Sequence, residues 1–230
     1  MKQKVSRREF MKAATTAGIM LSAGAVLLGN RDIAFAKDLE PIQLPQSQPS
    51  SGNALLKILE KRRTTREFGP APLPVAVLAS LLWAAFGISR PDGRRTAPSA
   101  RNYQEIDIYV AKSDGLYLFD AKENMLRPVL AEDIRGLTGI QSYVKQAPVS
   151  LVYVADISKM GGSSDEEKIF FTAADSGFIS ENVYLYCAAE GLATGVRANI
   201  DKPVLAKAMK LRPDQKITLA QCVGYPKKES

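Results

Sequence analysis

Lys61-Arg62-Arg63-Thr64-Thr65-Arg66 sets four cations and two hydroxyls within six residues. A guanidinium offers a planar pair of donors that matches the edge of a phosphate, and a threonine hydroxyl adds one more hydrogen bond. That is the chemistry of a phosphate seat. Taken alone, the same residues also read as a solvated basic helix end, where cations suit the helix dipole. A second polar group lies in residues 89–104, with Arg90, Arg94, Arg95 and Arg101. It contains Thr96-Ala97-Pro98-Ser99-Ala100-Arg101-Asn102-Tyr103-Gln104. Asn and Gln amides donate and accept toward the edge of a heterocycle, and proline and small residues let backbone approach closely. An ordinary polar loop is the plainer reading of that stretch by itself.

Other chemistries are closed to this chain. It contains no histidine, so it supplies neither a Ser-His-Asp nor a Cys-His pair, and no imidazole ligand for a metal or haem. The two cysteines, Cys187 and Cys222, fall in apolar helix and strand patterns and read as buried apolar residues. Their pairing as a disulfide stays open at this level, and two cysteines make no zinc or iron–sulfur cluster. No metal is expected.

The formal charge of +7 is partly a property of the first residues. Arg7-Arg8-Glu9-Phe10-Met11-Lys12 is followed by a weakly apolar run over 13–28 and by Ala34-Phe35-Ala36, a small-x-small cleavage pattern. This order resembles a twin-arginine export signal and predicts a periplasmic protein, or a membrane-anchored one if the segment is kept. Residues 1–36 carry six of the 31 Lys+Arg and two of the 24 Asp+Glu, so the remainder holds 25 cations against 22 acids, a charge of +3. That excess does not point to a nucleic-acid partner. The export route resembles one used for proteins that fold before export, often around a cofactor.

The elements that must position these groups follow from pattern. Residues 37–51, with three prolines, read as a flexible linker. A helix is expected over 52–62, capped by Asn53, with Leu55, Leu56 and Leu59 as its stripe. Pro74 opens a second helix over 75–86 that is apolar nearly all round and is expected to be deeply buried, with Gly87 ending it. Residues 106–111 and 116–120 form a hairpin, 130–145 short helical pieces, and 149–155 a central strand. A long helix over 165–190 is rich in small residues, which allow close helix–helix contact. A strand or tight loop over 193–199, a helix over 201–210 capped by Asp201, and a strand over 217–223 complete an α+β or α/β domain spanning 52–230.

The motifs then acquire meaning from their order. Arg-Arg-Thr-x-Arg-x-Phe, Pro-Ser-x-x-Asn-x-Gln, a helix ending in Gly-Leu-x-Thr, and a terminal Val-Gly-Tyr-Pro-Lys-Lys together resemble the nitroreductase family of FMN-dependent oxidoreductases, over about residues 55–228. The Arg-Arg-Thr-Thr-Arg-Glu-Phe stretch is similar to the branch that includes azoline dehydrogenases. The resemblance implies an α+β fold with a mostly antiparallel central sheet flanked by helices, and an intertwined homodimer with FMN in clefts between subunits. It implies that Arg62, Arg63, Thr64 and Arg66 hold the phosphate and ribityl chain, with Lys227 or Lys228 reaching the same phosphate. It puts Pro98, Ser99, Ala100 and Asn102 along the isoalloxazine from the other subunit, assisted by Gln104, and puts Val196, Arg197 and Ala198 near flavin N5. A cation at Arg197 beside the ring would favour the anionic reduced flavin. The implied activity is two-electron or hydride transfer to or from a small organic substrate, with no obligatory general base. If the protein is exported, a quinol or a redox protein suits the role of donor better than free NAD(P)H. The alternatives are an azoline-type dehydrogenase acting on peptide heterocycles and a non-catalytic flavin-binding electron carrier.

Overall fold

The computed structural model describes residues 54–228, together with Gln43. The expected export signal, the rest of the linker and the Asn53 cap lie outside the described residues. All elements below belong to one unit, Gln48–Ser230. The helices are α1 (Ala54–Lys61), α2 (Val75–Phe86), α3 (Asp165–Glu190) and α4 (Lys202–Ala208). The strands are β1 (Ile106–Lys112), β2 (Gly115–Asp120), β3 (Met125–Leu130), β4 (Val149–Asp156), β5 (Ala193–Arg197) and β6 (Gln215–Gly224).

The six strands form one sheet in the order β3-β2-β1-β4-β6-β5, and every neighbouring pair is antiparallel. β4 is buried along its whole length, as its strongly apolar composition predicts. Its side chains alternate between the two faces of the sheet. Val149, Leu151, Tyr153 and Ala155 join α2 and α3 in one core, whereas Val152 and Val154 join Leu205 and Met209 beside α4 in the other. The result is a mixed α+β architecture, a six-stranded antiparallel sheet flanked by helices.

α3 is the main support. Ser164 caps it and accepts from the Glu167 backbone, while Glu167 reaches back to the Ser164 N–H. Gly191 ends it in the left-handed conformation, with φ of 68°. Its buried positions, Thr172, Asp175, Ser176, Ile179, Ser180, Val183, Tyr184 and Cys187, recur at three- and four-residue steps and form one face. Ile169, Phe170 and Phe178 lie on the exposed side.

Three expectations differ in detail. α2 buries Leu78, Leu81, Leu82, Ala85 and Phe86 but leaves Val75 and Trp83 exposed, so it is covered on one side only. α1 presents Leu55 and Leu59 to the surface, and no residue of α1 is buried. β3 was not expected. Met125-Leu126-Arg127-Pro128-Val129-Leu130 lacks a clean alternation and contains a proline, which a strand tolerates at the edge of a sheet, where β3 lies.

Candidate active site

After α1 the chain runs along the free edge of β5 and on to the end of β6. Thr65 N–H donates to the Thr194 carbonyl at 2.9 Å, and Gly69 N–H to the Tyr225 carbonyl at 2.9 Å. Phe68 bridges Pro226, and Lys227 N–H donates to the Glu67 carbonyl at 3.2 Å. These backbone contacts bring the two basic stretches of the sequence, at 62–66 and 227–228, to one side of the molecule. Two glycines permit the approach. A Cβ on Gly195 would sit 3.3 Å from Thr64 Cγ2, and one on Gly224 would sit 2.5 Å from Pro148 Cδ and 3.2 Å from Phe68 Cδ1.

Tyr184 of α3 lies at the centre of this region. Its hydroxyl lies 3.0 Å from Thr64 Oγ1 and accepts the Val196 N–H at 3.0 Å. Its ring carries the Arg62 guanidinium 5.3 Å from the centroid, a cation–π contact. Arg63 donates to the Lys61 carbonyl at 3.1 Å. Among the described residues, no ion pair joins Arg62, Arg63, Arg66, Lys227 or Lys228 to a carboxylate. Cations gathered without an anion repel one another, and a bound phosphate dianion relieves that repulsion. The donor set therefore fits a phosphate-bearing cofactor.

The Pro98–Gln104 group stands elsewhere in the chain. Ser99 Oγ donates to Glu105 Oε2 at 3.2 Å and accepts the Gln104 N–H at 2.8 Å. Ala100 N–H donates to Asp175 Oδ2 at 2.8 Å. Gln104 is committed to the loop itself. Its oxygen accepts from Arg95 Nε at 2.7 Å, and its amide nitrogen donates to the Gly93 carbonyl and to Asn102 Oδ1, both at 3.1 Å. Pro98 and Asn102 are exposed, and Ala100 is half-buried. Arg101 pairs with Glu167 at 2.6 Å, which fastens the loop to the first turn of α3. The loop thus meets α3 at Asp175, whereas Thr64 meets it at Tyr184, nine residues and about 14 Å further along the helix. Within one chain the group expected to hold a phosphate and the group expected to line the ring are not brought together.

At the end of β5 the structure separates three residues that the sequence groups. Val196 gives its N–H to Tyr184, and Ala198 is exposed. Arg197 is only 6% exposed, and its side chain points away from solvent. Its guanidinium donates to the Thr138 carbonyl at 2.8 Å, to Thr138 Oγ1 at 2.6 Å, to Ser150 Oγ at 2.9 Å and to Cys222 Sγ at 3.0 Å. The cation expected beside a flavin is instead directed into the protein and held by neutral acceptors. Cys187 and Cys222 are both free and buried. Burial pushes the Cys187 thiol up to about 12, so it has no thiolate chemistry near neutral pH.

Sequence reasoning missed Tyr184, Glu105 and Asp175. The one available signal was a tyrosine and an acid at apolar-face positions of the long helix, where a buried polar group requires a partner. A cleft of about 590 Å³ opens beside the N-terminal half of α3, lined in part by Ile169, Thr172, Ala173, Lys202 and Lys216. None of the candidate site residues expected from the sequence lines it.

Residues 59–225 match the Nitroreductase family. The chain belongs to the nitroreductase family. A solved nitroreductase-type structure from Ralstonia eutropha JMP134 is 40% identical, covers 81% of this chain and 89% of its own, and superposes with a TM-score of 0.74. The E. coli microcin synthetase McbBCD complex with truncated pro-MccB17 bound contains a chain 19% identical, covering 90% and 82%, with a TM-score of 0.70. The NADPH:FMN oxidoreductase of Vibrio harveyi, complexed with NAD+, is 18% identical, covers 76% and 70%, and has a TM-score of 0.58. The last two likenesses are of fold. This chain is accordingly an oxidoreductase of the nitroreductase family.

Proposed function

We propose that this protein is an exported FMN-dependent oxidoreductase that acts as a homodimer on a small organic substrate. The observation that carries the reading is that Arg62, Arg63, Arg66, Lys227 and Lys228, none of them ion-paired among the described residues, are brought by backbone contacts to the side of the molecule where Thr64 meets Tyr184. FMN supplies hydride or electron-pair transfer at its ring, chemistry that no side chain of this histidine-free protein provides. Arg66 and the terminal lysines neutralise the phosphate, and Arg62 is aligned for it by its stack on Tyr184. Thr64 adds a hydroxyl, and its position is set by the same tyrosine. Pro98, Ser99, Ala100 and Asn102 form the ring-facing wall. The 14 Å that separates this wall from Thr64 along α3 supports its delivery from the second subunit. Family membership and the fold shared with an NADPH:FMN oxidoreductase support the choice of cofactor.

The absorption spectrum of the purified protein tests this first. Oxidised-flavin bands and about one FMN released per chain on heating are expected for this family of flavin sites. A protein that stays colourless after incubation with FMN refutes the cofactor. Because the first 36 residues have the order of an export signal, we also propose a quinol or redox-protein donor. Rapid reduction of the bound flavin by NADH at micromolar concentration counts against that part. A second reading, oxidation of an azoline in a peptide, draws support from the Arg-Arg-Thr-Thr-Arg-Glu-Phe stretch and the fold shared with the microcin synthetase complex. Flavin bleaching by a thiazoline peptide, with no bleaching by quinol, would select it.

A further inference from the structure

Glu105 and Asp175 have no part in the chemistry above, yet both hold residues of the loop proposed to face it. Glu105 immediately precedes β1 and has no exposed surface, and Asp175 on α3 is 2% exposed. Each holds a consecutive residue of the loop, Glu105 the Ser99 hydroxyl and Asp175 the Ala100 N–H. The second oxygen of Glu105, Oε1, is buried and has no hydrogen-bond partner among the described residues. The two carboxyls hold adjacent residues of one short loop, and Asp175 is close enough to raise the Glu105 carboxyl through its charge and its side chain. Two buried carboxylates so placed cannot both carry charge without a large penalty. One proton between them removes the repulsion and satisfies Oε1 in a single hydrogen bond.

The surroundings leave Asp175 as the charge that matters to Glu105. In the loop, Arg101 is paired with Glu167, and the Tyr103 hydroxyl is hydrogen-bonded to Ser163. On the turn after β4, Lys159 is paired with Asp107 of β1 and also donates to the Gln104 carbonyl. At the end of β4, Asp156 gives its N–H to the Glu105 carbonyl, and its side chain is paired with Arg212. No lysine or arginine pairs with Glu105 or Asp175 among the described residues. Burial first, and then the charge of Asp175, push the Glu105 carboxyl up to about 7, against the opposing hydrogen bonds from its own N–H and from Ser99. The loop also needs holding. Arg101, Asn102 and Gln104 have φ values of 50°, 56° and 49°, three non-glycine residues in the left-handed region within four positions.

We propose that Glu105 and Asp175 share one proton and act as positioning residues that hold the Ser99–Ala100 backbone in place, so that loss of the proton loosens this wall and weakens flavin binding. The second half of the proposal rests on the flavin reading, and the first half does not. Glu105→Gln supplies a permanent donor in place of the proton and still accepts from Ser99.

The test has two readouts on the purified full chain. Backbone amide shifts of Ala100 and Gln104, followed by NMR from about pH 5.5 to 8.5 in flavin-free protein, report the pair. FMN affinity by fluorescence over the same range reports its consequence. The wild type is expected to show one shared inflection near pH 7 at both amides, together with a loss of FMN affinity of about fivefold or more toward high pH. In Glu105→Gln both responses flatten. A wild-type Ala100 amide without an inflection overturns the shared proton, whatever the variant does. So does an inflection that persists in Glu105→Gln. Amides that titrate while FMN affinity stays level overturn the link to binding. Absence of FMN binding at every pH refutes the cofactor reading, and the amide titration still decides the pair.

Discussion

Arg197 is the residue where charge and burial conflict most openly. It brings a guanidinium inside the protein without a carboxylate, and its hydrogen bonds go to Thr138, Ser150 and Cys222. Gly139 leaves the room for it, since a Cβ there would collide with Arg197 Nε. Removing the side chain opens a cavity and strips donors from buried acceptors. Arg197→Ala is expected to lose about 3 kcal/mol or more in urea unfolding, and Arg197→Met, which fills the space, distinctly less. Equal losses would mean that the hydrogen bonds, not the volume, set the cost. Glu105 gives a pH dependence of known sign. Its folded-state pKa is raised from an ordinary 4.5 to about 7, so the folded protein binds more protons than the unfolded chain between those values. The stability contributed by the neutral acid is complete below about pH 4.5 and is lost as pH rises through about 7. Denaturant midpoints for the wild type should therefore fall further between pH 5 and pH 8 than those for Glu105→Gln. A parallel fall in both proteins would assign the effect to other groups. Tyr184→Phe removes the hydroxyl that bonds both Thr64 and the Val196 N–H, and is expected to cost about 1 kcal/mol of stability. It should also weaken FMN retention, because the ring stack with Arg62 remains but Thr64 loses its anchor.

At the scale of elements, α3 organises both halves of the site, and its start is doubly used. Glu167 closes the capping box with Ser164 and also pairs with Arg101 of the Pro98–Gln104 loop. Ser164→Ala should cost about 1 kcal/mol through the lost cap. The Arg101–Glu167 pair is exposed and contributes little by itself. Thermal melts of Ser164→Ala and Glu167→Gln would separate the cap from the pair. Elements with strong local signals were legible in the sequence. α3 was expected over its observed span, because its residues read as a long, mostly apolar helix that Gly191 closes. β4 and the β1–β2 hairpin were legible for similar reasons. β3 was not, because Arg127 and Pro128 interrupt the pattern of an edge strand. The stripe of α1 was legible as apolar, but what covers Leu55 and Leu59 depends on contacts that one chain's periodicity does not encode. The cation stretch of the candidate site was visible because its residues adjoin in sequence. Tyr184 and Asp175 reach their partners across 120 and 75 positions, which no local pattern reveals. The inward turn of Arg197 depends on how β5 pairs with β6, a register that the sequence of β5 alone does not fix.

At the scale of the whole molecule, the exposed apolar face of α3 supports the proposed homodimer. Ile169 is 72% and Phe170 69% exposed, and Ala173, Gly177 and Phe178 continue the exposed side along the helix. The apolar cleft beside Ile169 and Ala173 lies on the same side. A contiguous apolar surface of this kind is characteristic of an interface, and in a twofold dimer the same face would be buried on both subunits. The small residues Ala173 and Gly177 would let the helices approach closely. A dimer also resolves the separation within one chain, because the Ser99–Ala100 wall of one subunit could then stand opposite the Thr64–Tyr184 node of the other. Phe170→Glu tests both points together. The position is exposed in the single chain, so the fold should survive, and far-ultraviolet circular dichroism should be unchanged. Two opposed carboxylates at a desolvated interface are expected to weaken the dimer by about a hundredfold or more. Light scattering should then show monomer at micromolar concentration, and the ratio of flavin to protein absorbance should fall with it. Monomer that keeps its FMN would show that one chain builds the whole flavin site. Dimer that survives the substitution would place the interface on another face, for which the exposed leucines of α1 are the next residues to replace.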